Sequence, residues 1–163
     1  MKTTLAISLF IIPTLSLAYP SIGTIAEYEG KIEKEKGKSE RPLKISRQIV
    51  DLDKESKTWI IENTRTVDGK AKASLEEIAM RELSSPAKLR ELIFRCTNAT
   101  GEVQTITVPA GTFKTCHLKK SDPESSEELW IADVPFGIVK KVEKDLINKT
   151  SENYELKSLN RRE

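Results

Sequence analysis

The chain has one histidine and two cysteines in 163 residues. Tetrahedral zinc sites take three or four ligands of these types, so a zinc centre is not expected. There is no Gly-rich phosphate loop, no Gly-x-Ser-x-Gly elbow and no His-Glu-x-x-His pair, which leaves no signature of nucleotide, acyl-transfer or metalloprotease chemistry and implies no cofactor. Charge of one sign is missing too. Lys and Arg total 27 against 25 Asp and Glu, interspersed along the chain. That balance provides no electrostatic footprint for nucleic acid and no broad attraction to an anionic membrane. Apolar material is scarce, at 37% hydrophobic and 6% aromatic against 32% charged residues.

The one long apolar run lies at the start. Lys2 is followed by an uncharged stretch, Leu5 to Leu17, interrupted by Pro13. It falls short of the roughly 20 residues that span a bilayer. Ser16-Leu17-Ala18 places small residues where a signal peptidase reads them. Residues 1–18 therefore read as a signal peptide. Tyr19 follows, so no lipid-attachment cysteine stands at the cut. The expectation is an exported chain, periplasmic first and extracellular second, with no membrane span after cleavage. Residues 19–163 suit a single β-rich domain ending in a charged tail.

Period-two alternation dominates the rest. Ile22, Ala26, Tyr28 and Ile32 share one parity; Glu27, Glu29, Lys31 and Glu33 share the other, the pattern of a half-buried antiparallel strand. Gly37 and Pro42 punctuate a solvated turn. Residues 43–53 and 57–67 read as strands, and Asp68-Gly69 is a strong hairpin signal returning a fourth strand from about Lys70. Residues 74–83 fit helix or strand, with strand preferred to about Ala79. Ser85 and Pro86 open a helix over about 86–97, with Leu89, Leu92, Ile93 and Cys96 in one apolar stripe. Strands then follow over 102–108, 112–120, 129–134, 137–147 and 154–159. The fold class expected is mainly β (α+β), a curved antiparallel sheet or half-barrel of about eight or nine strands with one short helix.

Cys116 and His117 are neighbours on a strand and must diverge, so they form no thiol–imidazole pair. Cys96 sits on the buried stripe of the helix. In an oxidising compartment a Cys96–Cys116 disulfide is the favoured reading; it closes a loop of about 20 residues, worth about 3 kcal/mol. The acidic groupings, Glu76/Glu77 and then Asp122, Glu124, Glu127 and Glu128, read as solvated surface. A carboxylate-based hydrolase is the least favoured function. Asn98 and Asn148 head glycosylation-type triplets that matter only in a eukaryotic secretory pathway.

Two hairpin motifs stand out. Val108, Pro109, Ala110, Gly111, Thr112 and Phe113 form the first; Trp130, Val134, Pro135, Gly137 and Val139 form the second. Pro109 and Pro135 preset turns, and Gly111 and Gly137 supply backbone freedom. With Cys96 and Cys116 they resemble a group of uncharacterised exported bacterial proteins over about residues 85–145. The wider hairpin grammar resembles curved-sheet periplasmic folds typified by lipoprotein carriers. That resemblance implies a half-barrel around one or two helices, with a concave face able to take lipid.

Trp59, Phe113, Trp130 and Phe136 are the candidate ligand-binding residues on such a face, Phe113 and Trp130 packing together. The expected function is a non-enzymatic periplasmic binding or carrier-like module for an apolar ligand, a lipid or acyl chain. The alternative is an envelope interaction or assembly protein that pairs through a sheet edge.

Overall fold

The computed structural model describes residues 20–34 and 39–161. The signal-peptide reading falls on residues outside this range. Nine strands form one antiparallel sheet: β1 (Thr24–Lys34), β2 (Ser39–Asp53), β3 (Thr58–Val67), β4 (Lys70–Ala79), β5 (Glu102–Val108), β6 (Gly111–Ser121), β7 (Ser125–Ile131), β8 (Ile138–Asp145) and β9 (Thr150–Arg161). Their spatial order is β4-β3-β2-β1-β9-β8-β7-β6-β5, so the chain lays down two meanders and joins them by pairing β1 with β9. The sheet stays open, with β4 and β5 as its edges. Residues 70–79 are strand, which settles the ambiguous stretch as far as Ala79.

Several boundaries differ from the sequence reading. β2 runs back through Pro42 to Ser39, and β7 begins at Ser125 inside a stretch that reads as loop. In both cases pairing with a neighbour overrides local composition: Ser39–Pro42 pairs with Lys31–Lys34, and Ser126 to Glu128 pair with Lys119 to Ser121. β9 likewise starts at Thr150, paired with Lys34 and Asp145.

The Asp68-Gly69 turn has both residues at positive φ, 51° and 76°, the geometry that matches the twist of a two-residue hairpin. Register shifts at Glu27/Tyr28, Ile49/Asp51 and Trp130/Ile131 interrupt the ladders. Such bulges sharpen local twist and bend the sheet.

The one α-helix among the described residues, α1 (Pro86–Phe94), is capped by the Ser85 side chain, which accepts from the Lys88 amide. It ends two residues before Cys96, and a 3₁₀ turn over Cys96–Ala99 completes the segment. Cys96 and Cys116 are joined as a disulfide with Cα atoms 5.4 Å apart. Ile93, both cysteines and Leu118 make a small cluster that fixes the helix to β6.

The main core occupies one end of the curved face. Ala26, Tyr28, Ile49, Trp59, Ile61 and Leu156 supply the sheet side. The two motif hairpins close over it with Val108, Ala132, Val134, Phe136 and Val139. The amide of Ala110, in the first motif's turn, donates to the Leu156 carbonyl on β9 at 3.2 Å. The second motif's loop is cross-tied, Ala132 N to Gly137 O at 2.8 Å and Gly137 N to Val134 O at 2.9 Å.

Candidate functional site

The four expected ligand-binding aromatics do not form one surface. Trp59 and Phe136 are buried core residues, at 6% and 9% exposure. Phe136 sits at φ 62°, an unusual backbone for a bulky side chain, and turns its ring into the core under the Arg47 guanidinium, 4.8 Å away. Gly137 follows at φ 76° and Gly111 stands at φ 138°, so both turn glycines occupy backbone regions that favour glycine. Phe113 is half-buried against the same core.

Trp130 is elsewhere. It stacks on His117 at 4.0 Å and 10°, and donates from Nε1 to the Gln104 side chain at 3.1 Å. The expected Phe113–Trp130 packing is not formed: Trp130 pairs with His117, four positions along β6 from Phe113. About 13 Å of strand separates those positions.

His117 and Cys116 do point apart. Cys116 meets Cys96, while His117 is buried with Nε2 2.9 Å from Glu128.

The curved face beyond the core is charged. Register aligns Glu127, Glu143 and Glu152 across β7, β8 and β9. Three like charges in one row repel. Lys141 answers two of them, at 2.8 Å to Glu127 and 2.9 Å to Glu143. Arg65 grips Glu152 with both terminal nitrogens, at 2.7 and 2.5 Å.

That last pair joins β3 to β9 over the two strands between them, roughly 14 Å on a flat sheet. Curvature brings the partners together, and Gly30 permits it. A Cβ on Gly30 would lie 1.9 Å from the Asn153 carbonyl and 2.5 Å from the Tyr154 Cα.

Its hydrogen bonds to the Glu152 carboxylate hold the Arg65 guanidinium above its ordinary value. Burial pulls the Lys141 ammonium down, but its hydrogen bonds to Glu127 and Glu143 outweigh that and hold it above the ordinary lysine value. Burial pushes the Tyr154 phenol up. These are satisfied charges in a ladder. The carboxylates of Glu29, Asp53, Asp122 and Asp145 are all held below the usual range, mainly by hydrogen bonds, which is the opposite of a general acid's requirement.

Two accessible features bear on binding. One is a shallow groove of about 360 Å³ between α1 and β6, floored by Ile93, Phe94, Phe113 and Ala132, with Arg90, Lys114 and Asp133 at its rim. Phe94 is 88% exposed there. The other is the β5 edge. The two-residue Pro109-Ala110 turn makes Val108 and Gly111 a hydrogen-bonded pair, so by alternation Val103, Thr105 and Thr107 aim their N–H and C=O groups away from β6.

Both edges have such groups, and their side chains differ. β4 carries Lys70, Lys72, Glu76 and Glu77; β5 reads EVQTITV, with Glu102 as its one charge. Lysines on an edge suppress strand pairing, and β5 has none. Sequence reasoning located β5 but not its place at the edge, because strand order depends on the long-range β1–β9 pairing.

No protein-family model matches the chain, and no curated protein matches it. Among solved structures it is similar to a Bacteroides fragilis protein provisionally described as exported and of YmcC-like fold, at 9% identity and TM-score 0.46, covering 86% of this chain and 97% of that one. A Parabacteroides distasonis protein provisionally described as a lipoprotein is similar at 15% identity and TM-score 0.49, with coverages of 86% and 96%. The Pseudomonas aeruginosa MucA/MucB complex is similar at 11% identity and TM-score 0.45, and 51% of that chain is covered. At these identities and scores no function passes from them to this chain. Among the described residues no helix is long and apolar enough to cross a membrane, and no group of three or more His, Cys, Asp or Glu is arranged to hold a metal ion.

Proposed function

We propose that the chain is a non-enzymatic binding module of the cell envelope, most simply the periplasm, that takes up an extended protein segment as an additional strand on β5. The observation that carries this reading is the lysine-free edge, where every second residue, Val103, Thr105 and Thr107, turns its backbone groups outward. Each unpaired N–H and C=O on an edge strand is a template for another chain. The edge is also pre-organised. Gln104 is held by Trp130 and donates to Glu102 at 2.9 Å, and Thr115 donates to the Gln104 carbonyl at 3.0 Å. The neighbouring strand is stapled at Cys116 to the 3₁₀ turn that follows α1. Little ordering remains to be done when a partner arrives.

The apolar-ligand reading comes second. Trp59 and Phe136 belong to the packed core, and the rest of the curved face is crossed by ion pairs. What favours it is the α1 groove with Phe94 and Phe113.

Native mass spectrometry of the protein purified gently from an exporting host separates the two. The strand-addition reading expects a protein-mass adduct that disappears in Thr105→Pro. A lipid-mass adduct that survives Thr105→Pro and is lost in Phe94→Ser would overturn it in favour of an apolar ligand.

A further inference from the structure

We infer that the segment received by β5 is the β5 strand of a second copy of this chain, paired antiparallel about a twofold axis through Thr105. This rests on the reading of β5 as a strand-accepting edge, and adds the partner and the register.

The geometry permits closure. Thr105 is one of the outward-facing residues, so Thr105 of each copy can form a hydrogen-bonded pair across the axis. Val103 then pairs with Thr107 of the other copy, twice over. Three such pairs exchange about six backbone hydrogen bonds. An interface that uses the same patch on both copies is isologous and ends at two.

The side chains are compatible with that register. Val103 meets Thr107 and Thr105 meets Thr105 on one face, while Gln104 meets Ile106 on the other. β-Branched and hydroxyl pairs of this type favour strand pairing. The only charge on the strand, Glu102, falls opposite Val108 of the other copy, so the two Glu102 residues stand about 20 Å apart along the sheet. No like charges meet.

Val103 is 42% exposed and gains cover from the pairing. The edges left on the assembled sheet are the two β4 strands, each carrying Lys70 and Lys72, so the charged side chains that discourage pairing sit where growth would otherwise continue.

The test is sedimentation velocity on the oxidised mature protein from micromolar to millimolar concentration, with amide exchange on the same samples. The expectation is a concentration-dependent monomer–dimer equilibrium, with amides of Val103, Thr105 and Thr107 gaining protection as dimer forms. Thr105→Lys, which sets two ammonium groups against each other at the axis, should give monomer, with a melting curve matching that of the wild type at concentrations too low for dimer. Thr105→Pro should do the same by removing the N–H at the axis. Ala73→Lys, at an outward-facing position of β4, should leave the dimer intact.

Monomer at every concentration, with fast exchange at those three amides, overturns the self-pairing while leaving β5 open to another protein. A dimer broken by Ala73→Lys and not by Thr105→Lys overturns both the self-pairing and the β5 reading, because the pairing edge is then β4.

Discussion

The two ends of the curved face are built from the same strands and solve different problems. At one end Ile49, Ile61 and Leu156 are fully buried, and the hairpin loops carrying Val108, Val134 and Phe136 close over them. At the other end, only a few residues along the same strands, Arg65, Glu127, Lys141, Glu143 and Glu152 meet as ion pairs. The chain carries 32% charged against 37% hydrophobic residues, and it does not line the whole face with apolar side chains. It concentrates its apolar residues under the loops and holds the remainder with salt bridges that tolerate water. Stability is expected to reside in the dry end, and the charged end to set curvature.

That contrast can be broken most forcefully at the dry end. Ile61→Ala removes a fully buried side chain and should cost about 2–5 kcal/mol in denaturant unfolding. A loss under 1 kcal/mol would mean the core does not carry the fold.

The charged end should respond less. The Arg65 and Glu152 side chains are 42% and 22% exposed, so solvent screens their attraction. Arg65→Met alone should cost about 1 kcal/mol. Arg65→Met combined with Glu152→Met should recover part of that loss, because no carboxylate is then left without its partner. Non-additivity in that double-mutant cycle is the measurement; simple additivity would show that the two groups do not communicate across β1 and β2.

The smallest effect is expected at the hairpin tips. Asp145 accepts from the Asn148 amide and side chain, both at 2.7 Å, and these bonds hold its carboxyl below the usual range. Because the folded value is lowered, the contribution is present above the unfolded value near 3.9 and disappears as pH falls through the lower folded value. Amide chemical shifts at Asn148 should therefore titrate in acid, below the ordinary aspartate range, before the core signals change. Asp122 has the same arrangement with Glu124 and Ser125. Titration at or above the ordinary aspartate value would dissolve the tie.

Much of this architecture is legible in the residues themselves. Alternation around Tyr28, the Asp68-Gly69 turn, the Ser85-Pro86 helix start and the Cys96/Cys116 pairing are local or nearly local signals, and each appears where its chemistry demands. Pattern fails where a partner strand supplies what composition does not. Ser39 to Pro42 and Ser125 to Glu128 look like loop because they are polar, yet neighbouring strands complete their hydrogen bonds. The candidate site suffered most. Trp59, Phe113, Trp130 and Phe136 all read as apolar residues near turns, and nothing local distinguishes a core plug such as Phe136 from a ring stacked on His117 such as Trp130.

Strand periods, turns, the helix and the disulfide are written locally in the residues, because hydrogen-bonding period, backbone φ preference and thiol chemistry act over short stretches. Long-range packing sets which face the motif hairpins cover, which charges meet across four strands, and which strand is left at an unprotected edge. Those outcomes depend on the pairing of β1 with β9, a contact between residues more than a hundred positions apart that no local pattern encodes.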